Sequence, residues 1–358
     1  MRRNIGKHCA TVCLVPLVLG LVGTPALADD SNAGAIVATA SAASAADLQQ
    51  DLRNSSAPNG ANVEQSAAAD SGADTGRRYS LEFGILPHYL DNYYQAQEDF
   101  GTALPVAAQS VTIVTVSGEL KYNLIQDRDR KLTAGVRVRH NIFTDLDHAN
   151  STDVDLTLVY DAKPSLLKLG YFATRHRLVS DNGGNLVYGA TNGASAEYSY
   201  RFSKRLRGRA AYRFSRQTYS SSTDRNLSEH NFSADLRYQI VPQFMPAIGF
   251  ELSRGNAASS AFSFNRKAIF VSVTSELGDA VYLNVRYRRS QRNYVTSVPT
   301  DSYFGREDPR DDLSAYGTVQ LGHGLSIFGF ATHINNRSNQ PSHRFTSNEA
   351  GLGLFYRF

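Results

Sequence analysis

The sequence contains very little cysteine and no tryptophan. Only Cys9 and Cys13 are present, and both lie close to the N-terminus. The rest of the chain therefore has no disulfide framework from which to derive stability. Beyond the N-terminal region, no stretch approaches the roughly 18 consecutive apolar residues of a membrane-spanning helix. These absences exclude a disulfide-rich secreted domain and a helical membrane protein.

Recognisable catalytic, metal-binding and phosphate-binding patterns are also lacking. The histidines, among them His88, His176 and His323, are scattered without the spacing of metal ligands. No Ser–His–Asp arrangement stands out from chance, and glycine-rich phosphate motifs are missing. We therefore predict no enzymatic activity, no metal, no cofactor and no nucleic-acid partner.

The N-terminal segment has the three parts of a secretory signal peptide. Arg2 and Lys7 belong to a positive region, residues 9–22 are almost entirely apolar, and small residues end at Ala28. We predict that residues 1–28 are removed by cleavage after Ala28. Both cysteines leave with this segment, so the mature chain passes through an oxidising compartment without any cysteine.

The next segment, residues 29–78, differs in composition from the rest of the mature chain. It is rich in Ala, Ser, Asp, Asn and Gly, and no aromatic residue precedes Tyr79. Its acidic residues outnumber its basic residues, whereas the chain beyond it is basic. Such a segment cannot bury enough apolar surface to offset its ordering entropy. We predict a disordered acidic periplasmic extension; a plug within the domain that follows is the alternative.

From Tyr79 onward the hydrophobic pattern has a period of two. Residues 154–160, 232–238 and 281–287 alternate apolar and polar side chains almost without error. This alternation predicts strands with one apolar and one polar face. A soluble β-sandwich also alternates in this way, so the lengths of the connections must distinguish the two architectures.

The connections alternate between short and long. The predicted strands are 79–90, 110–124, 131–143, 153–162, 166–178, 193–202, 206–219, 228–240, 246–255, 265–277, 280–294, 311–322, 325–336 and 345–358. Connections after even-numbered strands are tight turns, and those after odd-numbered strands are mostly long and polar. This is the pattern of an outer-membrane barrel, whose short turns face the periplasm. We predict an all-β fold: a transmembrane antiparallel up-and-down β-barrel of about fourteen strands over residues 79–358, in contact with outer-membrane lipid and lipopolysaccharide.

Aromatic residues gather at strand ends beside the short turns. Such residues sit well at a membrane interface, and those predicted to form a periplasmic ring are Tyr79, Tyr122, Tyr160, Tyr200, Phe202, Tyr238, Tyr282, Tyr356 and Phe358. At the C-terminus, Leu354, Tyr356 and Phe358 share one strand face, which predicts contact with lipid. This ending resembles the sorting signal that the barrel-assembly machinery recognises in outer-membrane proteins.

Charged residues in the strands alternate with the apolar ones and are therefore predicted to line the lumen. On the lipid face a basic residue would cost about 2–4 kcal/mol at mid-membrane. The basic candidates are Lys121, Arg137, Arg139, Arg201, Arg207, Arg209, Arg213, Arg237, Arg286 and Arg288, and the acidic candidates are Glu119, Asp155, Glu197, Asp235, Glu251 and Glu276. They predict either a polar passage with a basic bias, or a network of ion pairs that fills and stiffens the barrel.

The last third of the chain resembles a known family. Residues 302–308 (Ser-Tyr-Phe-Gly-Arg-Glu-Asp), 336–339 (Asn-Arg-Ser-Asn), 352–354 (Leu-Gly-Leu) and 356–358 (Tyr-Arg-Phe) carry the likeness. They resemble the end of the barrel in surface lipoprotein assembly modifiers, and they are also similar to barrels encoded with exopolysaccharide export systems. The resemblance implies a fourteen-stranded barrel that helps lipoproteins reach the cell surface. Its partner would be a surface lipoprotein or a periplasmic protein.

The chain departs from that family before the barrel. Assembly modifiers normally carry a periplasmic domain of tetratricopeptide helices, and residues 29–76 are too short and too polar for two 34-residue repeats. We expect a barrel for transport or translocation across the outer membrane, with connections 91–109 and 295–310 as candidate gates. A passive porin-like channel for small, anionic solutes and a surface structural or adhesion barrel are the alternatives.

Overall fold

The computed structural model describes most of the chain from residue 78 to the C-terminus. The described ranges are 78–91, 110–127, 129–144, 150–180, 186–219, 223–241, 243–277, 280–301 and 303–358. The predicted signal peptide, the predicted acidic extension up to residue 77 and the candidate gate beyond residue 91 therefore lie outside the described residues.

Fourteen antiparallel strands close on themselves into one barrel. They are β1 (Tyr79–Leu90), β2 (Val111–Gln126), β3 (Arg130–Phe143), β4 (Ser151–Ala162), β5 (Ser165–Ser180), β6 (Leu186–Arg201), β7 (Leu206–Tyr219), β8 (Leu227–Tyr238), β9 (Phe244–Ala257), β10 (Phe264–Leu277), β11 (Val281–Tyr294), β12 (Glu307–Gly322), β13 (Leu325–Asn336) and β14 (Phe345–Arg357). Each strand pairs with its sequence neighbours, and β1 pairs with β14 to complete the wall. The predicted up-and-down barrel is confirmed.

The two faces of each strand meet different environments. In β4, Leu156 and Leu158 are exposed on the outside, whereas Asp153 and Asp155 are buried inside. Because successive side chains point to opposite faces of a strand, this one alternation supplies both the lipid-facing belt and the polar interior. No helix long and apolar enough to cross a bilayer occurs among the described residues.

Two strands begin at least four residues earlier than their sequence pattern predicts. β6 starts at Leu186 rather than residue 193, and β12 starts at Glu307 rather than residue 311. The added part of β12 is polar on both faces and includes Pro309, so no apolar alternation marks it. Its pairing with β11 holds it nonetheless, since Glu307 lies opposite Asn293.

One member of the predicted periplasmic aromatic ring is misplaced. Tyr79, Phe202, Tyr238 and other members are exposed on the outer face beside the short turns. Tyr282 instead packs inside the barrel against Tyr316, with ring centroids 5.9 Å apart. Tyr282 shares its strand face with the inward-facing Arg286, so the period of two places it in the interior.

Candidate functional site: the barrel interior

The interior of the barrel has two chemically distinct regions, and β11 and β12 contribute residues to both. One region, which we call the ionic wall, carries clusters of charged residues centred on Glu119, Asp235 and Glu251. The other region, the aromatic wall, lies on β1 and β11–β14 and consists of Leu86, Tyr282, Tyr316, Phe328, Phe330 and Phe355.

The first ionic cluster joins β2, β3 and β4. Arg137 donates from Nη2 to Glu119 Oε1 at 2.7 Å, and Lys121 Nζ lies 3.3 Å from Glu119 Oε2. Arg139 Nη2 donates to Asp155 Oδ2 at 3.2 Å. Glu119, Arg139 and Asp155 are all buried. Because such charges are costly to bury alone, their close pairing is what makes this part of the interior stable.

The second cluster joins β6, β7 and β8. Arg209 donates from Nε to Asp235 Oδ2 at 2.5 Å, and its Nη1 lies 3.5 Å from Glu197 Oε2. Arg237 donates from Nε to the other oxygen of Asp235 at 2.8 Å. One buried carboxylate therefore holds two guanidinium groups, with Glu197 adding a second negative charge beside Arg209.

The third cluster lies on β9–β12. Glu251 accepts from Arg286 Nη2 at 2.5 Å and from Arg288 Nη1 at 3.1 Å. Arg288 also reaches Asp312, with Nη2 2.7 Å from Oδ2, and Arg310 donates from Nε to Asp312 Oδ1 at 2.6 Å. Arginines and carboxylates thus alternate across the cluster, a geometry suited to charge-assisted hydrogen bonds.

Three predicted residues lie near the short-turn end. Arg201 lies opposite Arg207 in the β6–β7 ladder, and Arg207 lies opposite Arg237 in the next ladder. Glu276 on β10 is close enough to interact electrostatically with Arg207. Arg213, higher on β7, places its guanidinium 4.0 Å from the centre of the Phe172 ring.

The basic candidates do not form one cationic wall. Arg209 on β7 is bound by Asp235 and Glu197, whereas Arg286 on β11 is bound by Glu251. Strands β8, β9 and β10 separate the two groups. The interior is therefore a set of local ion-pair clusters.

Sequence reasoning missed several members of the third cluster. These are Arg266, which lies 3.0 Å from Glu229, together with Arg310 and Asp312. Arg310 was assigned to a loop because β12 was predicted to start at residue 311. Arg266 could have been found, because Ile269 is lipid-facing and the period of two then turns Arg266 inward.

The aromatic wall was also missed. Phe328 packs against Phe330 and Phe355, with ring centroids 6.0 Å apart in both pairs. Leu86 and Tyr316 are almost completely buried. β13 is apolar on both faces around Phe328. The alternation of apolar and polar residues identifies only polar interior faces, so it could not indicate an apolar one.

A compact cluster covers one side of the long-connection end. Arg306 lies between the rings of Tyr294 and Tyr303, at 4.6 and 4.7 Å, and binds Asp308 through two nitrogens at 2.9 and 2.7 Å. Tyr303, fully buried, stacks on His343 with ring centroids 5.5 Å apart. The β11–β12 connection is thereby packed against the β13–β14 connection.

His343 of this cluster is buried in a site that disfavours its charged form. Burial and the positive charge of Arg306 lower the pKa of His343 from 6.5 to about 4, although Asp308 opposes the shift. His343 is therefore neutral near pH 7, and its ring can stack on Tyr303 without placing a second cation beside Arg306. Within the described ranges, no three His, Cys, Asp or Glu side chains are placed to hold a metal ion.

Solved structures with a similar fold are outer-membrane proteins. A loop-deletion mutant of OmpT from Vibrio cholerae is 11% identical, with a TM-score of 0.44 over 79% of this chain and 100% of that chain. OccAB3 from Acinetobacter baumannii is 11% identical, with a TM-score of 0.40 over 78% of this chain and 99% of that chain. No curated protein matches the sequence.

A family model, by contrast, matches the greater part of the chain. The match extends over residues 122–340, from β2 to the connection that follows β13, and the family is described as surface lipoprotein assembly modifier. The matched region contains most of the ionic wall and four of the six residues of the aromatic wall. The chain is an outer-membrane β-barrel and belongs to the surface lipoprotein assembly modifier family.

Proposed function

We propose that this barrel is a non-enzymatic translocation component that brings a lipoprotein to the outer face of the outer membrane. The observation that carries the proposal is the division of the interior into an ionic wall and an aromatic wall. A lipoprotein has a polar polypeptide and apolar acyl chains, and each wall offers a suitable surface to one of them. The family description of surface lipoprotein assembly supports the same role.

The passive anion channel fits this interior less well. An anion pathway needs cations whose charge is available to the solute. Arg209, Arg286 and Arg288 each lie within hydrogen-bonding distance of a carboxylate. An anion would have to compete with these buried carboxylates for the same guanidinium groups, which costs more than it gains in a paired cluster.

Deletion of the gene tests the proposal. We expect a lipoprotein to disappear from the surface of intact cells, measured by antibody labelling and by protease accessibility, while its total amount is unchanged. Complementation with the wild-type chain should restore it. Unchanged surface display of lipoproteins in the deletion strain would contradict the proposal.

Planar-bilayer recording tests the channel alternative with the purified chain. We expect no stable anion-selective steps. Stable steps whose anion preference collapses in Arg207→Glu or Arg286→Glu would support the passive channel instead. Unchanged lipoprotein display together with altered cell attachment would support the surface structural role.

Biogenesis of the barrel involves a further partner. We propose that Leu354, Tyr356 and Phe358 form the signal read by the barrel-assembly machinery, since all three are exposed on the outer face of β14. Phe358→Ala should lower the amount of folded barrel in the outer membrane, measured by its heat-dependent mobility in gels. An exposed apolar control, Leu252→Ala on β9, should leave assembly unchanged; equal loss in both variants would contradict the assignment.

A further inference from the structure

The seam between β1 and β14 has an interruption that no other strand pair shares. Its ladder pairs Ile85 with Leu354 and resumes at His88 with Gly351, in the same register, and the two intervening pairs are missing. Where other ladders of the described strands are interrupted, the register shifts by a bulge. The β1–β14 ladder therefore has a gap without any change of register.

Pro87 explains the gap. Asp91 donates its backbone N–H to Asn348, and Phe358 donates its backbone N–H to Leu81, at 3.0 and 2.9 Å. Odd-numbered residues of β1 thus direct their backbone groups towards β14. Pro87 is one of them, and proline has no N–H to donate. It also lies nearer to Leu90 than to Tyr79, in the half of the strand away from the short turns.

The other two prolines in the strands avoid this conflict. Pro246 on β9 directs its backbone towards β8, but the β8–β9 ladder ends at Ala247. Pro309 on β12 directs its backbone towards β13, but that ladder begins at Arg310. Among the described strands, Pro87 alone removes a donor from within a ladder.

Side chains hold the seam together where the ladder is missing. Leu86 lies over Gly353 so closely that a Cβ on Gly353 would be 2.8 Å from Leu86 Cδ1, and Phe355 covers Gly84 in the same way. Both side chains belong to the aromatic wall. Polar contacts hold only the flanks: Glu82 with Arg357 at 2.9 Å, and His88 with Glu349 at 2.7 Å.

We propose that the barrel wall opens at the β1–β14 seam and that the opened seam, with the aromatic wall behind it, binds the acyl chains of a lipidated protein. This inference rests on the proposed translocation function. An acyl chain gains nothing from the ionic wall but can replace Leu86 and Phe355 in their apolar contacts. Through the gap it reaches the membrane hydrocarbon between the two flanking pairs, Glu82–Arg357 and His88–Glu349.

A disulfide lock across the seam tests the opening, and the absence of cysteine after Cys13 makes the lock specific. Ile85→Cys with Leu354→Cys joins β1 to β14 at registered positions, and Ile327→Cys with Leu354→Cys joins β13 to β14 as a matched control. Cα atoms of such facing residues are about 4.5–5.5 Å apart, within the range that disulfides span. The two locks share Leu354 and replace an isoleucine on the neighbouring strand, Ile85 on β1 or Ile327 on β13.

The locks are compared in cells complemented with each variant. We expect the oxidised seam lock to reduce lipoprotein display to the level of the deletion strain, and a reductant to restore it. The control lock should leave display unchanged when oxidised. If deletion abolishes display but the seam lock does not, the seam proposal is overturned and the proposed function stands. If deletion itself has no effect, the proposed function fails.

A second measurement detects acyl chains at the aromatic wall without any client protein. The chain has no tryptophan, so Phe355→Trp introduces a single tryptophan beside the seam, whose fluorescence can be excited selectively. In bilayers of phospholipid brominated on its acyl chains, we expect quenching that the oxidised seam lock abolishes. Phe172→Trp, on the ionic side at β5, is the control and should not be quenched. Equal quenching of locked and reduced protein, or none in either, contradicts acyl-chain entry at the seam.

Discussion

The ionic wall and the aromatic wall fill the same barrel by opposite means. In the ionic wall, Asp235 and Glu251 each hold two arginines by directed hydrogen bonds of 2.5–3.1 Å. In the aromatic wall, Leu86 and Phe355 pack over glycines without any directed bond. Directed bonds between buried charges tolerate little movement, because separation leaves a charge unpaired. Apolar packing can be exchanged for other apolar packing, and the only interruption of a described ladder that leaves the register unchanged lies in this region.

The largest expected effect comes from removing a shared carboxylate of the ionic wall. Asp235→Ala leaves the buried Arg237 and the partly buried Arg209 without their main partner. We expect the free energy of unfolding to fall by about 3–5 kcal/mol, measured by urea titration in lipid bilayers. Asp127→Ala removes the exposed pair with Arg130 and should cost no more than about 1 kcal/mol. Similar losses in the two variants would show that the ionic wall does not depend on its shared carboxylates.

A smaller effect is expected from crowding the aromatic wall. A Cβ on Gly353 would lie 2.6 Å from the backbone oxygen of Ile85 and 2.8 Å from Leu86 Cδ1. Gly353→Ala should therefore reduce the free energy of unfolding by about 1–3 kcal/mol.

Gly118→Ala is the matched control for this substitution. Its Cβ would meet only the Phe83 ring, at 3.6 Å, which is an ordinary contact. We expect a change within about 0.5 kcal/mol, measured in the same urea titration. A tolerated Gly353→Ala would contradict close packing at the seam and would weaken the contrast between the two walls.

The smallest effect is expected at the long-connection end, where aromatic and ionic contacts meet. His343 has a pKa of about 4 when packed on Tyr303, against 6.5 ordinarily. Because the pKa of His343 is lower in the folded state than in the unfolded state, its contribution to stability is fully present above pH 6.5. That contribution is lost as the pH falls towards 4. The cluster should therefore loosen between pH 6.5 and 4, seen as faster proteolysis within residues 295–306. His343→Phe keeps an aromatic ring at this position and removes the titrating group. The rate of proteolysis of this variant should therefore rise less between pH 6.5 and 4 than that of the wild-type chain. An equal rise in the two proteins would exclude His343 as the cause.

The fold was largely predictable from the sequence, and particular strands show why. β1 and β7 begin and end where their alternation predicts, because one face must be apolar for lipid and the other can be polar. β12 was predicted too short because its first residues are polar on both faces. β6 was predicted too short because glycine and asparagine near its start are typical of turns.

The interior was predictable only in part. Alternation indicated which charged residues point inward, but it could not indicate their partners. Arg266 binds Glu229 across two strand boundaries, and Arg357 binds Glu82 across nearly the whole length of the barrel domain. Local pattern does not encode such pairs, since they depend on register and on the curvature of the closed sheet.

The sequence by itself determined the membrane setting, the number of strands and the face that each strand turns to lipid. These follow from a period of two and from connection length, which are local properties of the chain. Only the tertiary structure decided that arginines and carboxylates form local clusters, that aromatic residues line one side, and that Pro87 falls on the closing seam. Each of these depends on contacts between residues distant in sequence, because a barrel acquires its interior only when β1 meets β14.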